Sequence, residues 1–440
     1  MTTLKVAINA QLSPGGSSGG VEQFLVSLIN ALGRLRDGSE EYIIIVRKEN
    51  PDWLKPYLGD NQKTIFGPVR EPHHRLLEQL KSLLGPLRGP AGKSWLKVSS
   101  FMCSRNTAYK FEVPKSNGFY ENLGVELVHF PFQSFASCDL PTIFNPHDLQ
   151  HLFYPQFFTP EQIAWRESIY PAGCRLSQAV AAESNSTKKD IVNYYSIDPN
   201  RVFVIPRGAP TELYEPVSES ALHEVRQKFH VKERFAMYPA QTWPHKNHIR
   251  LLQALSLLRD RDGILVNLVC TGMKNDFWHV IKKQIHELRL DREGQVCFLG
   301  FVSTTELRAL YRLAQFVIFP SLFEGGGFPL LEAFGEGTPV ACSEVTSLPE
   351  YGGDAALYFD PLSVESIARA LQRMSTDANL RARLRQRGAK RISLFTWQRT
   401  ARTYRALYRK LAGQPLSEEE NALLANPQEL QKGPTPTEKA

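Results

Sequence analysis

Cysteine is sparse in this chain, and none of it is paired by spacing. The six cysteines among 440 residues, Cys103, Cys138, Cys174, Cys270, Cys297 and Cys342, include no C-x-x-C. That argues against a zinc ribbon or a disulfide framework and for reduced thiols in a cytosol-like compartment. Long hydrophobic runs are missing too, since no window approaches the roughly 18 apolar residues of a membrane helix. The start, MTTLKVAINAQ, has no basic stretch followed by an apolar one, so no secretory signal is expected. A soluble, cytoplasmic chain is the expectation. Acidic charge is in deficit: 45 Asp and Glu against 52 Lys and Arg leave a formal charge of +7. The excess favours anionic partners such as nucleotides, phosphates or the anionic inner face of a membrane touched peripherally. Nucleic acid rests on net charge alone and is set aside.

What is present is ordinary globular composition, 42% hydrophobic and 22% charged, with length enough for two or three domains. Short apolar runs alternate with helical patterns. LKVAINA (4–10), YIIIV (42–46), LVHF (127–130), TIFN (142–145) and AVAAES (179–184) read as strands of a first series. FAMYPA (235–240), ILVNLVCTG (264–272), VCFLGF (296–301), FVIFPS (316–321) and PVACS (339–343) form a second. Strands alternating with helices make parallel sheets, so the expectation is α/β with two doubly wound, Rossmann-like domains, divided near PRGAPTELYEP. The basic, partly amphipathic insertion at about 70–115 reads as a helical hairpin, with acceptor or membrane-surface contact as the other reading. ESNSTKKDI offers Ser186 as a helix cap.

In such folds ligands bind beyond the carboxyl ends of strands. The stretch PSLFEGGGFPLLEAFGEGTPV (320–340) follows that rule: a strand, a loop with Glu324 and three glycines, then a helix started by Pro329, with Glu332 a turn inside. Bare main chain at a helix start can hold phosphate or sugar oxygens, and carboxylates accept from hydroxyls. A capped glycine-rich loop is the plainer reading. Beyond FAMYPA, Lys246 precedes a helix, where a cation would stabilise charge building on a departing diphosphate. SPGGSSGGVEQF (13–24) is a second glycine turn, and His147 follows TIFN directly.

EGGGFPLLE resembles the E-x(7)-E signature of retaining nucleotide-sugar glycosyltransferases of the GT-B fold, family-four type. The likeness continues through AFGEGTPVACSEVTSLPEYGGDAALYFDP and covers most of the chain to about Leu411. It implies an acceptor-side domain at 1–207 and a nucleotide-sugar domain at 208–395 facing it across a cleft. A helix at 396–413 would cross back. By its polar, proline-spaced composition 414–440 reads as a disordered tail with room for one short helix. It implies Glu324, Lys246 and His147 as catalytic residues, Glu324 on sugar hydroxyls and Lys246 on the diphosphate. Glu332 would meet the ribose, and the main chain of Gly326, Gly327 and Phe328 the sugar. The main chain of Leu330 and Leu331 would meet the diphosphate, that of Phe301 and Val302 the base, and Gly19 and Gly20 would close over the donor. The arginine that the family often places six residues before the lysine is Ala240 here, and Arg207 is either its substitute or a solvated hinge arginine. The expected reaction is metal-independent, retaining transfer of a mannose- or glucose-type hexose to a hydroxyl of a glycan or lipid-linked acceptor. No cofactor is expected beyond the sugar nucleotide, with a lean toward GDP-mannose and polysaccharide biosynthesis. An epimerase, a phosphorylase-like enzyme and a non-catalytic sugar-nucleotide-binding protein share the architecture. Asp260-Arg261-Asp262, formally a metal-binding D-x-D, reads as a solvated turn.

Overall fold

The computed structural model describes residues 3–14, 19–68, 109 and 111–425. The first lobe holds a seven-stranded sheet ordered β3-β2-β1-β4-β5-β6-β7. Its strands are β1 (Lys5–Asn9), β2 (Glu41–Val46), β3 (Gln62–Phe66), β4 (Leu127–Phe130), β5 (Thr142–Phe144), β6 (Ala179–Ala182) and β7 (Val202–Val204). The second lobe holds six strands ordered β10-β9-β8-β11-β12-β13. These are β8 (Ala236–Pro239), β9 (Leu268–Thr271), β10 (Val296–Gly300), β11 (Phe316–Phe319), β12 (Val340–Ser343) and β13 (Ala356–Phe359). All the pairings within both sheets are parallel.

Parallel strands need helical crossovers, which cover both faces and make the strands read as unbroken apolar runs. In the first sheet Val6, Ile8 and Ile44 join one buried cluster while Ala7, Ile43 and Ile45 join the other, as a period of two requires. Three strands lay outside the runs read as strands: β3, β7 (in RVFVIP) and β13. β3 is an edge strand with Lys63 and Thr64 exposed, and β13 lies in AALYFDP. In each sheet the strand order reverses once, at β1/β4 and at β8/β11, which is where a doubly wound sheet opens a crevice at its carboxyl edge.

Helix α1 (Gly20–Arg34) follows β1 and buries Phe24, Leu25, Leu28, Ile29 and Leu32. Helix α2 (Asn185–Tyr195) is capped by Ser184, whose hydroxyl accepts from the Thr187 N–H at 3.1 Å. The cap is therefore not Ser186, whose N–H instead donates to Glu350 at 2.7 Å. Helix α3 (His248–Asp262) takes Asp260 and Asp262 into its last turn, each paired with a neighbouring arginine at 2.7 Å. Helix α4 (Phe328–Gly335) follows β11.

Helix α5 (Trp397–Leu411) comes after the second lobe yet packs into the first. Trp397, Ala401, Tyr404, Leu407 and Tyr408 share a core cluster with α1 and β1. Buried polar bonds fix its register. The His129 ring donates Nε2–H to Asn145 Oδ1 (3.0 Å), leaving Nδ1 to accept from Tyr408 (2.8 Å), and Asn145 donates to Tyr404 (2.7 Å). The expected disordered tail needs correcting over Glu418–Ala425, which form helix α6. Glu420 of α6 is buried against Arg409 of α5 at 2.6 Å, and that pair fixes it there. Almost all of the 70–115 insertion and the chain past 425 lie outside the described residues. Among the described residues no helix is long and apolar enough to cross a membrane.

Candidate functional site

The two crevices face each other, and the loops beyond β8 and β11 carry the first pair. Lys246 Nζ lies 2.6 Å from Glu324 Oε1, with the side chains only 17% and 14% exposed. Local structure aims both. The Tyr238 hydroxyl donates to the Lys246 carbonyl at 2.6 Å, and Asn247, at φ 60, donates to the Pro320 carbonyl at 2.9 Å. The Leu322 N–H reaches the His245 carbonyl at 2.8 Å, tying one loop to the other. The Glu324 main chain is clamped by Thr346 and Ser347, whose hydroxyls both donate to its carbonyl at 2.9 Å. Thr346, itself at φ 47, also accepts the Glu324 N–H at 3.1 Å. No local pattern of residues signals that clamp.

Glu332 is half-buried on α4, where it accepts from the Tyr311 hydroxyl at 2.8 Å. Burial pushes its carboxyl up to about 7, and that hydrogen bond only partly offsets the shift. At the start of α4, the Leu331 N–H already donates to the Gly327 carbonyl at 2.9 Å. A diphosphate contact there would fall to Leu330, since Pro329 has no N–H. Phe301 is 75% exposed just past β10, beside the half-buried Val302.

Two of the three glycines bring the lobes together, and the third packs within its own lobe. A Cβ on Gly325 would stand 3.0 Å from the His147 carbonyl oxygen and from Asp148 Cβ. One on Gly326 would meet Glu183 Oε2 at 2.4 Å and the Arg207 guanidinium at 2.9 Å, and one on Gly327 would meet the Tyr351 ring at 2.8 Å. The bare main chain therefore admits the other lobe, a use that ligand approach alone did not anticipate. Gly19, at φ 49, faces Gln241, and Gly20 faces Phe328 and Arg207. Phe328 leaves its own lobe and joins the first lobe's core. Glu350 adds a further tie, its carboxylate accepting from the Asn185 and Ser186 N–H groups at 2.7 Å each.

Arg207 and His147 stand differently from the expectation. Arg207 is not a solvated hinge cation. It is buried in an ion pair with Glu183, and its guanidinium lies 4.1 Å from the Phe328 ring centroid and 5.4 Å from that of Phe24. Burial lowers its pKa to about 10, so it keeps its charge at neutral pH. His147, at φ 64, is buried with both ring nitrogens engaged, Nδ1 on Glu183 at 2.5 Å and Nε2 on the Pro131 carbonyl at 3.0 Å. Burial, with Arg207 adding to it, pushes that imidazole down to about 3. The ring is thus built into the first lobe's wall, and reaching a sugar would mean giving up a partner. Glu183 and Tyr351, which sequence reasoning passed over, complete the cluster. Tyr351 accepts the Arg207 N–H at 3.3 Å and donates to the Glu183 carbonyl at 3.0 Å. Among the described residues no group of three His, Cys, Asp or Glu could hold a metal ion.

Comparison with known proteins agrees with this fold. The family model described as "Glycosyl transferases group 1" matches residues 222–391, and "Glycosyltransferase Family 4" matches 103–213. The chain is 29% identical over 257 residues to O-antigen chain mannosyltransferase B of Escherichia coli, covering 57% of this chain and 66% of that protein. It is also 29% identical over 228 residues to the serotype-specific mannosyltransferase WbdA of Escherichia coli, covering 51% and 28%. The chain thus spans just under two thirds of the first relative's length and far less of the second's. Among solved structures it is similar to Anabaena HepE in complex with UDP and glucose. The TM-score is 0.63 at 17% identity, over 92% of this chain and all of that one.

Proposed function

Because this chain belongs to the family-four glycosyltransferases of the GT-B fold, we propose that it moves a hexose from a nucleoside diphosphate sugar to an acceptor hydroxyl with retention of configuration. The observation that carries this reading is the Lys246–Glu324 pair at 2.6 Å, set beside the glycine loop that opens α4. It offers a cation, a hydroxyl acceptor and free main chain at one crevice. A diphosphate would replace Glu324 as the partner of Lys246, releasing Glu324 to accept from hydroxyls of the transferred sugar. Glu332 would accept from ribose hydroxyls.

As the anomeric C–O bond breaks, negative charge grows on the departing phosphate oxygen. Lys246 and the N–H groups at the start of α4 stabilise that charge more than the ground state, which is what lowers the barrier. The acceptor hydroxyl adds to the same face, and its proton passes to the departing oxygen. Charge stabilisation comes from the chain's own groups, so the reading needs no divalent metal, and added chelator should leave the rate unchanged. The first lobe faces the acceptor, a glycan or lipid-linked saccharide reached from the cytoplasmic face of a membrane. Relatives named for mannose transfer support a mannose-type donor.

A thermal-shift screen with GDP and UDP tests donor binding. Turnover of GDP-mannose and UDP-glucose, with mass detection of products and the anomeric configuration read by NMR, tests the reaction. Binding without turnover on any acceptor, or an altered free sugar nucleotide formed without acceptor, would replace this reading.

A further inference from the structure

Glu183 follows β6 and is as buried as any charged group in the molecule, its side chain 1% exposed. Its Oε1 is ion-paired with Arg207 and lies 2.5 Å from His147 Nδ1. The other ring nitrogen lies 3.0 Å from the Pro131 carbonyl. Hydrogens can be counted here. A carbonyl oxygen only accepts, an ionised carboxylate only accepts, and a neutral imidazole owns one N–H. Two acceptors thus face a ring that, when neutral, can satisfy one. A neutral ring must leave one contact without a hydrogen in a site closed to water: the 2.5 Å one to Glu183 if its proton is on Nε2, or the 3.0 Å one to Pro131 if it is on Nδ1. The Arg207 Nη2 stands 3.4 Å from Nδ1, too far to take over that contact. Burial and Arg207 disfavour a charged ring, so one extra proton shared across the gap, and not owned by Nδ1, turns the lone-pair repulsion there into a short hydrogen bond.

We propose that Glu183 is the positioning residue of His147, binding its Nδ1 through a shared proton and so fixing the wall on which the donor loop closes. The path from ring to loop is short. His147 holds a left-handed backbone, φ 64, a strained state for a non-glycine residue that persists only where surroundings enforce it. The two ring bonds supply that enforcement. The carbonyl so placed is the one Gly325 packs against, and Gly326 packs against Glu183 itself. The second carboxylate oxygen, Oε2, and the Arg207 Nε have no hydrogen-bond partner. The cluster is therefore not saturated by its own members, and the glycine loop is what covers it. Glu183 acts through His147 and the loop and touches no reacting atom. This inference deepens the proposed transfer reaction and rests on it for its kinetic arm, though not for its spectroscopic one.

The test is ring-nitrogen NMR on the full chain labelled with 15N-histidine, with His147 assigned by loss of its signals in His147→Gln. The expected wild-type spectrum shows proton character on both nitrogens of His147 and a strongly downfield hydrogen-bonded proton. In Glu183→Gln the amide N–H can donate to Nδ1, so the ring should become a neutral Nε2–H tautomer with Nδ1 bare, and the downfield signal should vanish. The same variant should lower kcat for sugar transfer by roughly 10- to 100-fold, the scale seen when the orienting partner of a functional histidine is lost. Nucleoside diphosphate affinity should stay as in wild type. A wild-type ring carrying one proton with no shared signal overturns the proposal, whatever the enzyme does. So does a Glu183→Gln protein with wild-type spectrum or wild-type kcat. Should the variant fail to fold, the wild-type spectrum alone decides. A protein that shows the shared proton yet transfers no sugar would keep this inference and end the proposed function.

Discussion

The ion pair between Lys246 and Glu324 makes opposite demands on nucleotide binding and on turnover, and two substitutions separate them. At 2.6 Å, in a crevice of intermediate polarity, the bare attraction is about 6 kcal/mol at an effective dielectric near 20. Desolvation of two side chains under one-fifth exposed cancels much of it. A diphosphate entering the crevice must displace Glu324, and the residual attraction is charged against its affinity. Glu324→Gln removes that competitor and leaves Lys246 waiting for an anion. Nucleoside diphosphate should then bind about as well as to wild type or up to roughly tenfold tighter, about 1.4 kcal/mol. Lys246→Met deletes a charge-assisted bond of about 1.5–3 kcal/mol, so the same ligand should bind roughly 10- to 150-fold more weakly. Turnover should fall in both, by about 100- to 1,000-fold, because each group acts on charge or hydroxyls at the transferring sugar. Calorimetry with GDP and UDP, followed by product detection from sugar nucleotides, reads both quantities. Affinities that move together in the two variants, or wild-type turnover in either, would refute the reasoning.

Gly326→Ala should lower both the thermal midpoint and kcat/KM, since its Cβ would lie 2.4 Å from Glu183 Oε2. Overpacking of this kind costs about 1–3 kcal/mol, and unchanged values would mean the lobes do not meet there. Glu332 has a folded pKa raised from 4.5 to about 7, so burial favours its neutral form. The wild-type chain should lose up to about 3 kcal/mol from this residue as pH rises from 4.5 through 7. Glu332→Gln should therefore be the more stable protein at pH 8 and lose that advantage near pH 4.5, which thermal melts at the two pH values would check. Tyr404→Phe leaves the buried Asn145 amide without its 2.7 Å partner and should cost about 1–3 kcal/mol, visible as a lower melting midpoint.

The alternation of elements was legible because both faces of each sheet are covered, which leaves strands such as YIIIV and FVIFPS unbroken by polar residues. β3 was not legible for the converse reason. As an edge strand it carries Lys63 and Thr64 in the open, and its sequence is nearly indistinguishable from a turn. The helix cap after β6 went to the wrong serine because Ser184 and Ser186 both precede an apolar helix face. What decides between them is the other lobe, whose Glu350 takes the Ser186 N–H. α6 was unreadable for a similar reason: its sequence is polar, and the feature that anchors it is Arg409 of α5.

The same distinction runs through the site. Lys246 and Glu324 could be read because each sits a fixed step beyond its own strand, a local relation that the sequence preserves. Glu183 could not, and Arg207 only with two readings open, because what defines them is each other and Phe328, more than 100 residues onward. An arginine in a proline-rich stretch looks like a solvated hinge until an aromatic ring from the far lobe lies over it. The glycines carry both kinds of information. Next to a helix start they mark main chain that a ligand can approach, and that is a local inference. The spacing of Gly325 and Gly326 against His147 and Glu183 shows the further constraint that they let one lobe pack on the other. A side chain at Gly326 would meet Glu183 and Arg207, so the loop that would grip the donor is tied to the state of the first lobe's buried charges. Lobe packing and the proposed donor contact then fall on one loop.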